Sequence, residues 1–374
     1  MSFYNNQISH YERMFFTVRS NFVDIVGYQF EKVHTGAIKW LLDSSNELID
    51  HNEKSNVLRN LYKMCGILPP FKSSDIDFIE CKPEFSIGSG KRVDLVIEIT
   101  LNNGDLKYIV IEMKVDTIAK KDQLTATYDG FHSSEDAIFI LFLFGSSQIC
   151  QIPKHKHFNT FCLNDIMSAF NNIDSEHYIY RDWMDSLQVE LKKGKTIKNL
   201  LPTLTNIKDK DSWRKNGYRT HFTAFYYLYK HLKSNSKNEI AWNIYSGNNN
   251  PIMNWEPGWL DKTISNKKIT FYWEFNYQDL ILKVKLPTEG YLSSQELHQL
   301  KSNIISIVSK NPQIKGNIAR RQSIPRVYNS LYKWKFDFLT ESFEEIMMKA
   351  ELIIQKIHPE LKKSNWEFPK SKSV

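Results

Sequence analysis

Between residues 30 and 45 the stretch FEKVHTGAIKWLLDSS sets Val33, Ala37, Trp40 and Leu41 at helical spacing, with polar residues between them. A second helical stretch is expected to open at Asn46 and Glu47 and to run through Leu61 and Met64, until Pro69 and Pro70 end it. The pattern then changes period. IECKPEFSIG is a β-rich run closing on a turn at Gly88 and Gly90, RVDLVIEIT reads as a strand, LNNG as a turn, and KYIVIEMKV as the return strand. Residues Asp122 to Phe131 have helical composition, and AIFILFLF at 137–144 reads as a strand buried on both faces. The predicted order α, β, β, β, α, β describes an α/β domain.

The hairpin carries charges where plain strands need none. Asp94 lies near its start and Glu112 and Lys114 near its end, and a buried charge is costly unless it is paired or holds a metal. Two turn lengths are open. With a three-residue loop, Asn102-Asn103-Gly104, Asp94 lies directly across from Glu112; with a two-residue Asn103-Gly104 loop it faces Met113 and the acids point apart. The three-residue form, a type I turn closed by a left-handed glycine, suits Asn-Asn-Gly. In that register Asp94, Glu112 and Lys114 share one face. Two carboxylates supply hard oxygen ligands suited to Mg²⁺ or Mn²⁺, and a lysine beside them can orient or help deprotonate a metal-bound water. Phosphodiester hydrolysis is the reaction class that such a set serves. The plainer alternative is a structural salt bridge between Asp94 and Lys114. Glu98 shares the face of Asp94 but lies about 13 Å along the strand, too far for one metal site, and Glu84 reads as an edge carboxylate.

Composition bounds the class. A chain of 374 residues with 41% hydrophobic and 24% charged residues is long enough for more than one soluble domain. Four cysteines without a CxxC pair argue against a disulfide framework. The segment CQIPKHKHFNTFC, with Cys150, His155, His157 and Cys162, has spacings that match no usual zinc module. The stretch MSFYNNQISHYER lacks a signal-peptide pattern, and the longest apolar run is too short to cross a bilayer. A cytoplasmic protein without membrane attachment is expected.

Charge divides the chain. Residues 1–190 hold 18 Lys and Arg against 26 Asp and Glu, whereas residues 191–374 hold 31 against 16. This asymmetry marks a domain boundary, with a first domain over 1–190 that carries the charged hairpin, the expected catalytic unit, and a basic α+β domain over 191–374 suited to a polyanion. In it, SWRKNGYRTHFTAFYYLYKH at 212–231 is expected to form a helix carrying Arg214, Lys215 and Arg219 among aromatics, and KGNIARRQSIPRVYNSLYK adds Lys315, Arg320, Arg321 and Arg326. Arg214, Lys215, Arg219, Arg320 and Arg321 are the expected nucleic-acid contacts. KITFYWEFNYQDLILKVKLP and YKWKFDFL read as strands, and SFEEIMMKAELIIQKIHPEL as an amphipathic helix.

With Asp94, then seventeen residues, then Glu112-Met113-Lys114, flanked by helices and followed by the LFLF strand, the first half resembles the PD-(D/E)XK nuclease superfamily. The stretch IVGYQFEKVHTGAIKWLLD also looks like the first motif of a bacterial branch, with a Glu, a His three residues later and a terminal Leu-Leu-Asp, and the resemblance as a whole covers roughly residues 22–145. The resemblance implies a restriction-endonuclease-like αβββαβ core and a Mg²⁺-dependent endonuclease (Mn²⁺ as the substitute) acting on nucleic acid, with DNA favoured and RNA left open. It makes Asp94, Glu112 and Glu31 metal ligands, Lys114 the residue that positions water, and His34 a neighbour of Glu31. Gln123 is carried over from a Gln motif on the following helix. That motif has a Tyr four residues on, whereas here Tyr128 stands five on. Val93 replaces the superfamily's proline before the Asp. Cutting both strands would favour a homodimer, and a phage-defence effector awaiting an activating partner is a further reading. The rival class is a scaffold that keeps the fold and binds nucleic acid without cutting.

Overall fold

Alternation of apolar residues from Arg92 to Val115 yields a hairpin, strands β2 (Arg92–Leu101) and β3 (Leu106–Val115), preceded by β1 (Ile76–Ser86). In this computed structural model Leu95 pairs with Ile111 and Thr100 with Leu106. That is the register of the three-residue loop. Gly104 closes the turn at φ +86, and its N–H donates to the Leu101 carbonyl at 2.8 Å. Strands β4 (Ala137–Phe144) and β5 (Phe158–Phe161) add in parallel, giving a five-stranded mixed sheet ordered β1-β2-β3-β4-β5. Residues 21–366 are described, apart from 89, 132–133, 151, 174–175, 238–240, 247–249, 258–260, 265–266, 287–291, 320–326 and 365.

Five helices and a long sixth accompany this sheet: α1 (Phe22–Val26), α2 (Glu31–Leu42), α3 (His51–Met64), α4 (Lys121–Gly130), α5 (Leu163–Phe170) and α6 (Tyr178–Leu200). One sheet face, with Leu95, Ile97, Ile111 and Met113, packs with Leu41, Leu58, Phe170 and Trp183 in the larger core. The other face, with Val96, Val110 and Leu141, receives Leu124 of α4 and Phe131 in a smaller one. Alternation along β3 therefore sends Met113 into the large core and Glu112 and Lys114 to the side of α4. Helix α3 starts at His51, not at the expected Asn46. Asp50 is the reason: its carboxylate accepts from the Asn52 N–H at 2.8 Å while Glu53 accepts from the Asp50 N–H at 3.2 Å, a reciprocal cap.

The chain divides into two compact units, one ending at Gln148 and resuming over Ile152–Lys195, the other running from Thr196 onward with Ile149–Gln151 attached. The second unit contains α7 (Lys210–Lys215), α8 (His221–Ser234), β6 (Asn243–Ser246), β7 (Pro251–Trp255), β8 (Asp261–Ile264), β9 (Lys267–Asn276), β10 (Asp279–Lys285), α9 (Ser294–Ser309), β11 (Asn317–Ile318), β12 (Tyr328–Lys335) and α10 (Phe343–Lys363). Its antiparallel sheet runs β11-β12-β10-β9-β7-β6, with β8 also on β9. Trp273, Phe275, Leu282 and Leu331 are fully buried in it. The helix expected over 212–231 is broken in two. Gly217 at φ +80 ends α7, and Thr220 caps α8 by accepting from the Thr223 N–H. Arg219 therefore lies in the connection, apart from Arg214 and Lys215 on α7. Arg320, Arg321 and Arg326 lie outside the described residues. No helix among the described residues is long and apolar enough to cross a membrane.

Trp183 is fully buried in the larger core, and its indole N–H donates to His34 Nδ1 at 3.2 Å. Trp183→Ala is expected to cost about 3–5 kcal/mol, and Trp183→Phe, which keeps a ring but not the donor, about 1–2 kcal/mol. Urea denaturation measures both. A Trp183→Phe protein as stable as the wild type would show that the hydrogen bond contributes nothing.

Candidate active site

The hairpin register fixes the first contacts. Regular pairing ends at Leu95 and Ile111, and beyond it Asp94 Oδ2 accepts from the Met113 N–H at 2.6 Å. A side chain thus replaces a backbone partner, and the carboxylate is held at the sheet surface. Lys114, two residues past Glu112 on the same face, is 7% exposed and donates to the Met113 carbonyl at 2.5 Å. Its Nζ stands 3.6 Å from Glu31 Oε1, 3.9 Å from Asp94 Oδ2 and 3.9 Å from Glu112 Oε2. One ammonium lies where three carboxylates from α2, β2 and β3 converge.

Glu31 comes from the first turn of α2, where a carboxylate is favoured by the helix dipole. The start of that helix is anchored through His34, which is fully buried. His34 Nε2 donates to the Tyr28 carbonyl at 2.9 Å, the tautomer left by the indole N–H of Trp183 on Nδ1. The ring stacks on Phe144 at 3.9 Å. His34 is thereby a structural anchor of the loop that leads into Glu31.

Glu112 is fully buried, and both of its oxygens accept from α4: Thr127 Oγ1 at 2.6 Å and Gln123 Nε2 at 3.0 Å. Residues 123 and 127 are one helical turn apart and share a face. Thr127 was missed by sequence reasoning. The signal existed, because Thr127 stands four residues after Gln123, where the resembling motif has its Tyr. Tyr128 instead stacks on His157 at 3.7 Å, away from this cluster.

Burial, and after it the charge of Asp94, push the Glu112 carboxyl up to about 7, against the bonds from Thr127 and the charge of Lys114. Glu31 is also raised, first by burial, with Lys114 opposing and Asp94 and Glu84 adding. Glu84 thus belongs to the electrostatic neighbourhood of Glu31. It occupies a left-handed backbone conformation at φ +52 within β1, and Arg92 stands 3.8 Å from it. Glu98 is tied to Lys82 at 2.9 Å, a structural pair.

The donor set of the cluster, three carboxylates converging on one cation, fits a hard divalent ion in chemistry and charge. As they stand the carboxylates face the ammonium, and among the described residues no three Asp, Glu, His or Cys side chains are arranged to hold an ion together. His155 contacts Thr125 Oγ1 at 3.2 Å, and no disulfide joins Cys65, Cys81, Cys150 and Cys162. A cleft of about 430 Å³ lies between the β1–β2 turn and α4, lined by Gly88, Lys91, Asp122, Thr125 and Asp129, and none of Glu31, Asp94, Glu112 and Lys114 lines it. Arg214, Lys215 and Arg219 belong to the second unit.

The model of the PD-(D/E)XK nuclease superfamily matches residues 20–250. No curated protein and no solved structure matches.

The raised Glu112 has a pH consequence whose sign is fixed. Between an unfolded-state value of 4.5 and a folded value of about 7, the folded protein holds a proton that the unfolded chain has lost. This contribution to stability is complete below the lower value and disappears as pH rises through the upper one. Glu112→Gln is expected to be the more stable protein by about 1–3 kcal/mol at pH 8 in EDTA, with the difference shrinking toward pH 5. Urea melts at the two pH values test it, and parallel profiles for both proteins would refute the assignment.

Proposed function

We propose that this chain, which belongs to the PD-(D/E)XK nuclease superfamily, is a Mg²⁺-dependent endonuclease that hydrolyses phosphodiester bonds of nucleic acid. Members of that superfamily are in general nucleases that use divalent metal ions, so the coarser activity follows from membership. The ion, the mode of cutting and the residue roles are the proposal. The observation that carries it is the Lys114 ammonium within 3.9 Å of Glu31, Asp94 and Glu112.

In this reading Asp94, Glu112 and Glu31 hold the ion. When bound, the ion lowers the pKa of a water and neutralises charge on the reacting phosphate. Thr127 and Gln123 fix the Glu112 carboxylate so that little reorganisation accompanies loading. Asp94 is held in place by the Met113 N–H. The Lys114 ammonium faces the same oxygens that would hold the ion, so ammonium and ion would compete for them, and Lys114 would position the attacking water.

Two variants test these roles by different readouts. Asp94→Ala is expected to lose both cleavage and ion binding. Lys114→Met is expected to lose cleavage by about 10²-fold or more while binding Ca²⁺ or Mn²⁺ more tightly than wild type by calorimetry, since a competing cation is gone. The cleavage panel covers single- and double-stranded DNA and RNA in Mg²⁺, Mn²⁺ and EDTA. A wild-type protein that binds nucleic acid equally with and without the ion and cuts none of the four would be the non-cutting scaffold. Weaker ion binding by Lys114→Met would overturn the competition between ammonium and ion.

A further inference from the structure

The second unit places a cationic and aromatic cluster at the tip of one hairpin. Strands β9 and β10 are joined by Tyr277 and Gln278, because Asn276 pairs with Asp279. Two-residue hairpin turns of this kind favour Asn or Gly, yet Tyr277 takes φ +52 here. A bulky residue in that region is strained unless its surroundings hold it there. The surroundings do so. Tyr229, fully buried, donates its hydroxyl to the Tyr277 carbonyl at 3.1 Å, and Phe225, also fully buried, packs edge-on against the ring at 4.9 Å.

The tyrosine is partly exposed and has company. His221 at the start of α8 meets the Tyr277 hydroxyl at 3.1 Å, with the two rings within 3° of parallel, and Phe222 stands 4.2 Å from His221. Lys208 Nζ lies 4.5 Å from the centre of the Tyr277 ring, a cation–π contact. Lys210 and Arg214 complete the group. Burial, followed by the charges of Lys210, Arg214 and Lys208, lowers the His221 pKa, so all three cations are felt at one imidazole. Lys208, Lys210 and Arg214 are exposed. The acids in this segment are occupied locally: Asp209 caps α7 by accepting from the Asp211 N–H and the Ser212 hydroxyl, and Asp211 pairs with Arg214 at 3.7 Å.

A hydrophobic partner needs no lysines, and a duplex offers phosphates but keeps its base faces stacked. Single strands offer both a regularly charged backbone and open π-faces. The geometry points to a binding surface for single-stranded nucleic acid on the second unit, in which Lys208, Lys210 and Arg214 meet phosphates and Tyr277, with His221 and Phe222 beside it, supplies a stacking platform for a base. This inference rests on the reading of the chain as a nucleic-acid enzyme and adds the strand type and the residues that grip it.

The test is fluorescence anisotropy with the full chain in EDTA, using a labelled oligothymidylate and a blunt duplex of the same length. Tyr277→Asn removes the ring while suiting the left-handed turn, so the fold is spared. It is expected to weaken single-strand binding roughly tenfold, the loss of one stacked base, with the salt slope unchanged. Lys208→Gln with Lys210→Gln is expected to reduce the slope of log K against log salt by about 1.4, two single-strand phosphate contacts. Unchanged binding by both variants, or a wild type that prefers the duplex or binds no single strand, overturns the surface. Binding as expected by a wild type that cuts nothing in Mg²⁺ or Mn²⁺ sustains the surface and overturns the hydrolase reading instead.

Discussion

A single turn residue governs the chemistry of this protein. Because side chains alternate strictly along a strand, a loop one residue shorter than Asn102-Asn103-Gly104 would set Asp94 against Met113 and send the two acids to opposite faces. Gly104, at φ +86, accepts the left-handed geometry that closes the longer loop. From that follow the approach of Asp94 to β3, its bond to the Met113 N–H, and a common face for Asp94, Glu112 and Lys114.

Such a cluster is held against its own electrostatics. Three carboxylates share one ammonium, and Glu112 is fully removed from water. Hydrogen bonds from Thr127 and Gln123 offset part of the desolvation cost, but burial and Asp94 still win, as the raised Glu112 carboxyl shows. A divalent cation would relieve this excess of negative charge. The strain is local: His34 and Trp183 brace the entry to α2 from the larger core, while α4 rests on the smaller core and braces Glu112. Rigid elements on both sides keep the side chains in place against a repulsion that would otherwise splay them.

The second unit has a different character. Its sheet is antiparallel throughout, whereas the first unit mixes antiparallel and parallel pairs. Its buried charges are met one by one: Glu274 pairs with Lys283 at 3.0 Å, Lys301 donates to the Ala319 carbonyl, and Glu351 accepts from Ser236. The excess of positive charge in this half is carried by exposed side chains such as those of α7, where it is available to a polyanion.

Much of this was legible in the sequence. Period-two alternation and the Asn-Asn-Gly turn are local, so they announced the hairpin and the shared face of Glu112 and Lys114, and they favoured the three-residue register that brings Asp94 to it, but the choice between two loop lengths was made by the fold. Helical spacing located α2 and α10, and the apolar run at 137–144 located β4. Local signals also misled: the basic aromatic stretch at 212–231 reads as one helix, but Gly217 and the Thr220 cap divide it. What tertiary structure alone decided is which distant groups meet. Thr127 reaches Glu112 only because α4 packs over the small core, Glu31 reaches Lys114 only because α2 packs across β1, β2 and β3, and Tyr277 meets Lys208 and His221 only through the folding of a hairpin tip against a helix start. Sequence fixes periodicity and turn chemistry within a few residues; encounters between residues tens of positions apart depend on how whole elements pack, and no short pattern encodes that.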